Sequence, residues 1–491
     1  MNMSDIDERS VRIAKAHTIR TLGLDPYPST VQRTKTCHEA RLFFDELSSS
    51  HESIHIVGRI RNLRRHGGSA FISVQDETDR LQAYVKKDDV GDKCYAIVKD
   101  LLDIGDHVQI EGTLFQTKTG EMTIHATALS IISKALLPLP EQWHGLSDIE
   151  TRYRQRYLDL IANQDVKDIF QKRSCLMRTI RRYFEEHGFF EVETPILQPL
   201  AGGAAAKPFV THHNALDMDM YLRVAPELYL KRLIIGGYER VYEFARCFRN
   251  EGIDHAHNPE FTQIEAYCAY VDYHFLMSFI EALLLSVVRA MHDSDSCIYK
   301  DVKLVFGQPF EKLSFRDALL DYAHIDIDRH TSLEDLRREA SDRNIDCATY
   351  PTKASILDEL FKSFVRSSIV QPTFIVDYPI ELSPLAKKKA DNPNLTERFQ
   401  LIIAGMEVVN AFSELNDPLD QRERFEVQAM NREMGDEETH GTDYDFVNAL
   451  EYGMPPTAGF GMGIDRLTAL LTNSASLKEV ILFPTLRPKA Q

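Results

Sequence analysis

VYEFARCFRNEGIDHAHNPEFTQIEAYCAYVDY, residues 241–273, sets a charged segment between two apolar runs. A surface loop with the polarity of RNEGIDHAHNPEF (249–261) would have polar flanks as well. Here VYEFARCF precedes it and TQIEAYCAY follows. Two strand-like runs around a charged turn predict a long hairpin whose walls present Arg249, Glu251, Phe261 and Glu265 to a bound molecule.

Outward from that hairpin the chain reads as α+β. Helices are predicted at 165–187, closed by His187-Gly188, and at 226–235, with a mostly helical insertion over about 274–365. Further strands are predicted in TFIVDYP, RFQLIIAGMEVVNAF and AGFGMGI. Residues 54–133 differ: five short alternating runs are separated by HGG, DETD and KTG turns, and the helical patch CYAIVKDLLDIG follows the third run. That layout predicts an OB-fold β-barrel, an architecture that often binds single-stranded nucleic acid; a different small barrel serving as scaffold is the alternative. The expected boundaries are a helical arm at 1–50, the barrel at 51–135, a proline-marked hinge at 136–150 and a large mixed domain at 151–491.

Composition narrows the class. At 491 residues, 43% hydrophobic and 27% charged, the chain is an ordinary globular protein of two or three domains. The apolar runs, such as LLLSVV (283–288), are too short to span a bilayer, and MNMSDIDERS lacks the form of a secretory signal. Seven scattered cysteines without a CxxC pair suggest reduced thiols in a cytoplasmic protein and neither a disulfide framework nor a zinc site. A net charge of −17 disfavours bulk polyanion binding, although residues 1–75 hold 11 Lys/Arg against 8 Asp/Glu.

The second informative stretch is GFGMGIDR (459–466). Gly459, Gly461 and Gly463 alternate, so on a strand they leave one face bare, against which a flat ring could lie. Tight strand–helix packing is the competing explanation. The dinucleotide pattern GxGxxG is not met, because Ile464 stands at its third glycine. Arg466 and Arg249 suit a triphosphate, Phe261 offers a face to a base, and Glu251, Glu407 and Glu414 suit magnesium or an amine. Glu407 and Glu414 are seven apart; on one strand they converge only if a bulge lies between them.

Beyond these features, RYRQRYLDLI (152–161), GFFEVETPIL (188–197), GGAAAKPFVTHHNALDMDMYLRVAPELYLKRL (202–233), FRNEG…HNPEFT (248–262), NAFSELNDPLDQRERF (410–425) and PPTAGFGMGIDRL…ILFPTLRP (455–488) together resemble the bacterial-type class II lysyl-tRNA synthetases over nearly the whole chain. The three class-defining motifs resemble 180–197, 243–267 and 455–488, while FSELND and APELYLKRL are specific to the lysine branch.

The resemblance implies a catalytic domain built on an antiparallel sheet flanked by helices, and a homodimer. It also implies activation of L-lysine with ATP and Mg2+, and transfer to tRNA(Lys), with no membrane or DNA partner. It further implies that Arg249 neutralises the α-phosphate and the lysine carboxylate, with Asn410 and Phe412 in the lysine site. Phe261 and Arg466 would sandwich adenine, with His257 and Glu251 near the ATP, and Glu407 and Glu414 would bind the metal. Gly203 and Glu227 would take the α-ammonium; Glu265, Tyr267 and Glu414 would take the ε-ammonium. An acidic pocket is consistent with a cationic amino acid, because a buried unpaired charge is costly.

In the barrel, Phe71 is expected to stack on an anticodon base and Gln82 to bond its edge, with a core position for Phe71 as the competing reading. Two other functions fit parts of the chain. A ligase that attaches lysine to a protein would lack the barrel, and a regulatory protein that lost activity would not keep these charged residues. Departures from the family pattern are Ala256, QIEAY in place of the usual MMEFY, and Phe460 with Met462; none is expected to touch a charged contact.

Overall fold

The computed structural model describes residues 3–140, 146–204, 206–255, 257–330, 332–346, 350, 352–433 and 443–488, without the side chains of 3–6 and 431–433. Ala256, Cys347 and part of the expected hinge, 141–145, lie outside the described residues. The chain divides into two compact units, Met1–Ser147 and Asp148–Gln491.

The first unit begins with helix α1 (Met3–Thr21) and holds strands β1 (Ile54–His66), β2 (Ser69–Gln75), β3 (Arg80–Lys86), β4 (His107–Gln116) and β5 (Met122–Ser133). They close into a barrel in the order β1-β2-β3-β5-β4, with short helical turns after β3. The period-2 pattern sends Ala70, Ile72 and Val74 of β2, and Leu81, Ala83 and Val85 of β3, into the core. Gly112 is required at the β4–β5 crossing, where a Cβ would lie 2.0 Å from the His125 carbonyl oxygen.

The second unit is built on an eight-stranded sheet. Its strands are β6 (Phe190–Glu191), β7 (Arg240–Phe248), β8 (Glu260–Ala269), β9 (Glu311–Ser314), β10 (Thr373–Val376), β11 (Arg398–Ile403), β12 (Met406–Ser413) and β13 (Thr457–Gly463), in the order β9-β10-β11-β12-β13-β8-β7-β6. The central pairs are antiparallel and the two outermost pairs are parallel. The predicted hairpin is β7–β8, in register from Arg240↔Cys268 to Phe248↔Glu260. RFQLIIAGMEVVNAF is also a hairpin and not one strand, because Ala404 (φ 49°) and Gly405 (φ 75°) form a two-residue turn of the primed type.

Helix α2 (Gln164–Glu186) buries Leu176, Ile180 and Phe184 on one stripe, and the chain leaves it through Gly188 at φ 74°. Helix α3 (Glu227–Ile235) lies within the predicted 226–235. Helix α4 (Tyr273–His292), capped by Asp272, is long and apolar enough to cross a membrane by composition, yet Leu276, Ile280, Leu283, Leu284 and Val287 are buried in the sheet core. The region expected to be mostly helical also contains a strand pair, Ser296–Tyr299 with Val302–Val305, and the sheet strand β9. Short apolar strands of four residues carry too little periodicity to separate them from helix.

Candidate active site

The site is assembled by the middle of the sheet. In the β8–β13 ladder Gln263 faces Gly463, Glu265 faces Gly461 and Tyr267 faces Gly459. The bare face of β13 is therefore opposite a row of three long polar side chains. At Gly459 the need is absolute, since a Cβ would sit 2.4 Å from the Tyr267 ring and 2.5 Å from Glu414 Oε1. A Cβ at Gly461 or Gly463 would meet only ordinary contacts, 3.6 Å or longer, and both residues open on a cavity of about 180 Å³. Close packing thus accounts for Gly459, while Gly461 and Gly463 leave the cavity floor bare.

Every candidate residue of this domain except Glu414 lines that one cavity: Gly203, Glu227, Arg249, Glu251, His257, Phe261, Glu265, Tyr267, Glu407, Asn410, Phe412 and Arg466. They come from five separate segments, brought together by the strand order.

The end of the cavity around Glu227 and Glu265 is densely charged. Glu265 is 5% exposed; Gln263 Nε2 donates to its Oε1 at 2.6 Å and the Tyr267 hydroxyl donates to its Oε2 at 3.0 Å. Burial, with Glu227 nearby, holds the Glu265 carboxyl well above the usual range. Glu414, 1% exposed, is raised to about 8 by burial, which the adjacent Lys231 partly offsets. The fully buried Lys231 ammonium lies 2.6 Å from Glu227 Oε1, one helical turn away, and forms an ion pair with Glu414. Burial lowers the Lys231 pKa, but the two carboxylates outweigh it and leave the group raised. Three carboxylates face one ammonium here.

At the other end, the Arg249 guanidinium lies 5.0 Å over the Phe261 ring, and its buried Nε has no hydrogen-bond partner among the described residues. Arg466 Nη1 donates to the Glu407 carbonyl oxygen at 3.0 Å. The cation stacked on Phe261 is thus Arg249, and Arg466 is held across β12. His257 is turned toward Asp254, with Nδ1 2.9 Å from its Oδ2. Asn410 Oδ1 accepts from Arg398 Nε at 3.0 Å, which fixes the amide.

The β11–β12 ladder shifts register between Leu401 and Ile402, with Val408 as the unpaired residue. This bulge aims Glu407 to the face of Asn410 and Phe412, yet it does not bring Glu407 together with Glu414, which lies outside the cavity lining. The half-buried Glu407 carboxylate fits a hard cation shared with a substrate's phosphates. Glu414 does not fit that role: its carboxylate is paired with Lys231 beneath Gly459, at the charged end. A cluster of three or more metal-ligating side chains is absent among the described residues.

In the barrel, Phe71 and Gln82 are both outward: Phe71 pairs with Tyr84, and Gln82, two pairs along and so on the same face, pairs with Ser73. A core position for Phe71 is excluded by its neighbours Ala70 and Ile72, each 0% exposed. Phe71 lies 5.0 Å from the Tyr84 ring, which itself lies 5.8 Å from His125. Gln82 Nε2 donates to Thr123 at 3.0 Å.

Four contributors escaped the sequence reading. Lys231 was legible as the i+4 partner of Glu227. Gln263 sits in QIEAY, a departure expected to touch no charged contact; it bonds Glu265 directly. Asp465 accepts from the Thr262 amide at 3.0 Å and pairs with Arg173 at 2.6 Å, tying the start of β8 to the Arg466 helix. Arg398 meets Asn410 through strand pairing and Asp465 meets Arg173 through helix packing, contacts between distant segments that leave no local signal.

A family model described as tRNA synthetases class II (D, K and N) matches residues 148–487, and one described as OB-fold nucleic acid binding domain matches 54–132. Curated relatives called Lysine–tRNA ligase include one from Moorella thermoacetica, 47% identical over 99% of both chains. Others are those of Roseiflexus castenholzii and Chloroflexus aurantiacus, 46% and 48% identical over the full length of both chains.

Proposed function

The chain belongs to the class II tRNA synthetases, in their lysine–tRNA ligase branch, and on that premise we propose which residues carry its reaction. The reaction is the ATP-dependent activation of L-lysine to lysyl-adenylate and its transfer to the 3′ end of tRNA(Lys). The family uses ATP with Mg2+.

The observation that carries the residue assignment is the charge count at the charged end. Glu227, Glu265 and Glu414 stand around Lys231 alone, so once all three are ionised two negative charges in the buried pocket lack a cation. Lysine brings two ammonium groups, and its carboxylate can pair with Arg249. Glu227 and the Gly203 carbonyl take the α-ammonium, and Glu265, backed by Tyr267, takes the ε-ammonium. An amino acid with one ammonium would leave a carboxylate unpaired, a costly state in a buried site.

In the first step the lysine carboxylate attacks the α-phosphorus in line and pyrophosphate leaves. Arg249 neutralises the charge developing on the α-phosphate, with its unpartnered Nε available as donor. Adenine bracketed by Phe261 and Arg466 takes the place of Arg249 on the Phe261 ring, Glu251 and His257 stand beside the nucleotide, and Asn410 and Phe412 bound the lysine. Glu407 is the side chain that would hold magnesium with the ATP phosphates, where the ion supplies charge neutralisation. In the second step a ribose hydroxyl of the tRNA end attacks the adenylate carbonyl and AMP leaves. Positioning and electrostatics suffice, and no side-chain nucleophile takes part.

The outward Phe71 and Gln82 support the barrel as the anticodon-binding domain, at 51–135, ahead of the catalytic domain at 151–491. We further read the protein as a cytoplasmic homodimer. A ligase acting on proteins is disfavoured by the barrel, and a non-catalytic role by the intact charged constellation. Pyrophosphate exchange across all twenty amino acids, paired with tRNA charging, tests the reading. Exchange with lysine alone and charging of tRNA(Lys) are expected. Lysine exchange without charging would favour the protein ligase, and no exchange the non-catalytic role.

A further inference from the structure

We propose that Gln263 is a positioning residue of the amine pocket, clamping the Glu265 carboxylate so that it reads the length of the substrate side chain. This rests on the assignment of Glu265 to the ε-ammonium.

The argument begins with the strand. Gln263 and Glu265 are two residues apart on β8, so they share a face, and both stand opposite glycines of β13. On the β13 side neither meets a side chain; on the β7 side Gln263 faces Ala245, and Glu265 faces Glu243, whose charge is paired with Arg223 at 2.6 Å, so the two are left to turn toward each other over the glycines. The Gln263 amide donates at 2.6 Å to one oxygen of Glu265 while Tyr267 donates at 3.0 Å to the other. A donor on each oxygen fixes the carboxylate plane.

A carboxylate offers about four lone-pair sites, so about two remain, one on each oxygen. A substrate ammonium can use only those, and must therefore arrive at one distance along the pocket. Gln263 is 8% exposed and lines the cavity, so the clamp lies at the substrate and not behind it. With a hydrocarbon at this position, Oε1 loses its donor, the carboxylate can turn about its last torsion, and its proton is held more tightly.

The test is pyrophosphate exchange by full-length Gln263→Met, close in volume and without the amide, with Gln263→Leu as a second neutral variant should the first fold poorly. Lysine and its homologue one methylene shorter are the two substrates. Losing a hydrogen bond to a charged group is expected to raise the lysine KM about tenfold. The ATP KM and the melting temperature should hold. The preference for lysine over the shorter homologue should fall severalfold, and the acid limb of lysine kcat/KM should move to higher pH. A lysine KM within about twofold of wild type, with preference and pH profile unchanged, overturns the proposal. So does a parallel rise of both KM values with a lowered melting temperature, which would mark a packing role. Glu265→Gln runs alongside. If it leaves the lysine KM unchanged, the Glu265 assignment itself falls, and the proposal with it. If it raises that KM and Gln263→Met does not, only the proposal falls.

Discussion

Glu265 and Glu414 sit where a carboxylate is hard to ionise, and that burial makes binding of the substrate proton-linked. Burial raises both groups, Glu414 to about 8 despite Lys231, so that Glu414 holds a proton at neutral pH without lysine, and Glu265 is shifted in the same direction. The substrate's ammonium groups favour the ionised forms, so their arrival expels protons. Calorimetry at pH 7 in buffers of different ionisation enthalpy should therefore give net proton release, with affinity tightening as pH rises from about 6 to 8; buffer-independent heats would contradict it. Glu265→Gln removes a charge-assisted contact worth about 1.5–3 kcal/mol. The lysine KM should rise at least tenfold while the ATP KM stays near wild type.

The glycine strand and the barrel hairpin are the elements that convert pattern into site. Gly459→Ala drives a methyl group into the Tyr267 ring and Glu414, so it should lower the melting temperature markedly. Gly461→Ala meets only an ordinary contact, 3.6 Å from Glu265 Cγ, and should fold normally; equal melting temperatures would refute this division. In the barrel, Phe71 projects from the face opposite Ala70 and Ile72. Stacking on a base is worth about 1–3 kcal/mol and acts only when tRNA is bound. Phe71→Ala should cut lysylation efficiency about ten- to hundredfold and leave pyrophosphate exchange and thermal stability unchanged. Loss of exchange or of stability would remove the anticodon assignment.

At the scale of the whole molecule, exposed apolar groups beside the first motif support self-association. Phe190 is 58% exposed and stacks on the exposed Tyr238 at 5.7 Å, and Leu197 and Leu200, a few residues further along the chain, are also exposed. Light scattering should return about twice the 56.2 kDa chain mass, and a fully active monomer would refute it. The sequence by itself determined the barrel, the β7–β8 hairpin and most of the cavity's residues. Alternation, glycine spacing and turn chemistry act over a few neighbours and can be read along the chain. The charge that Glu414 answers to was hidden, because Lys231 reaches it only when α3 packs on the sheet. The side of Glu407 depended on a bulge at Val408, visible only in the pairing with β11. Gln263 lay in a stretch whose meaning emerged when Gly461 and Gly463 were found opposite it and Glu265. Pairing between distant strands brings buried charges together, and buried charges settle by their neighbours in space, so the balance of the amine pocket was decided by tertiary structure alone.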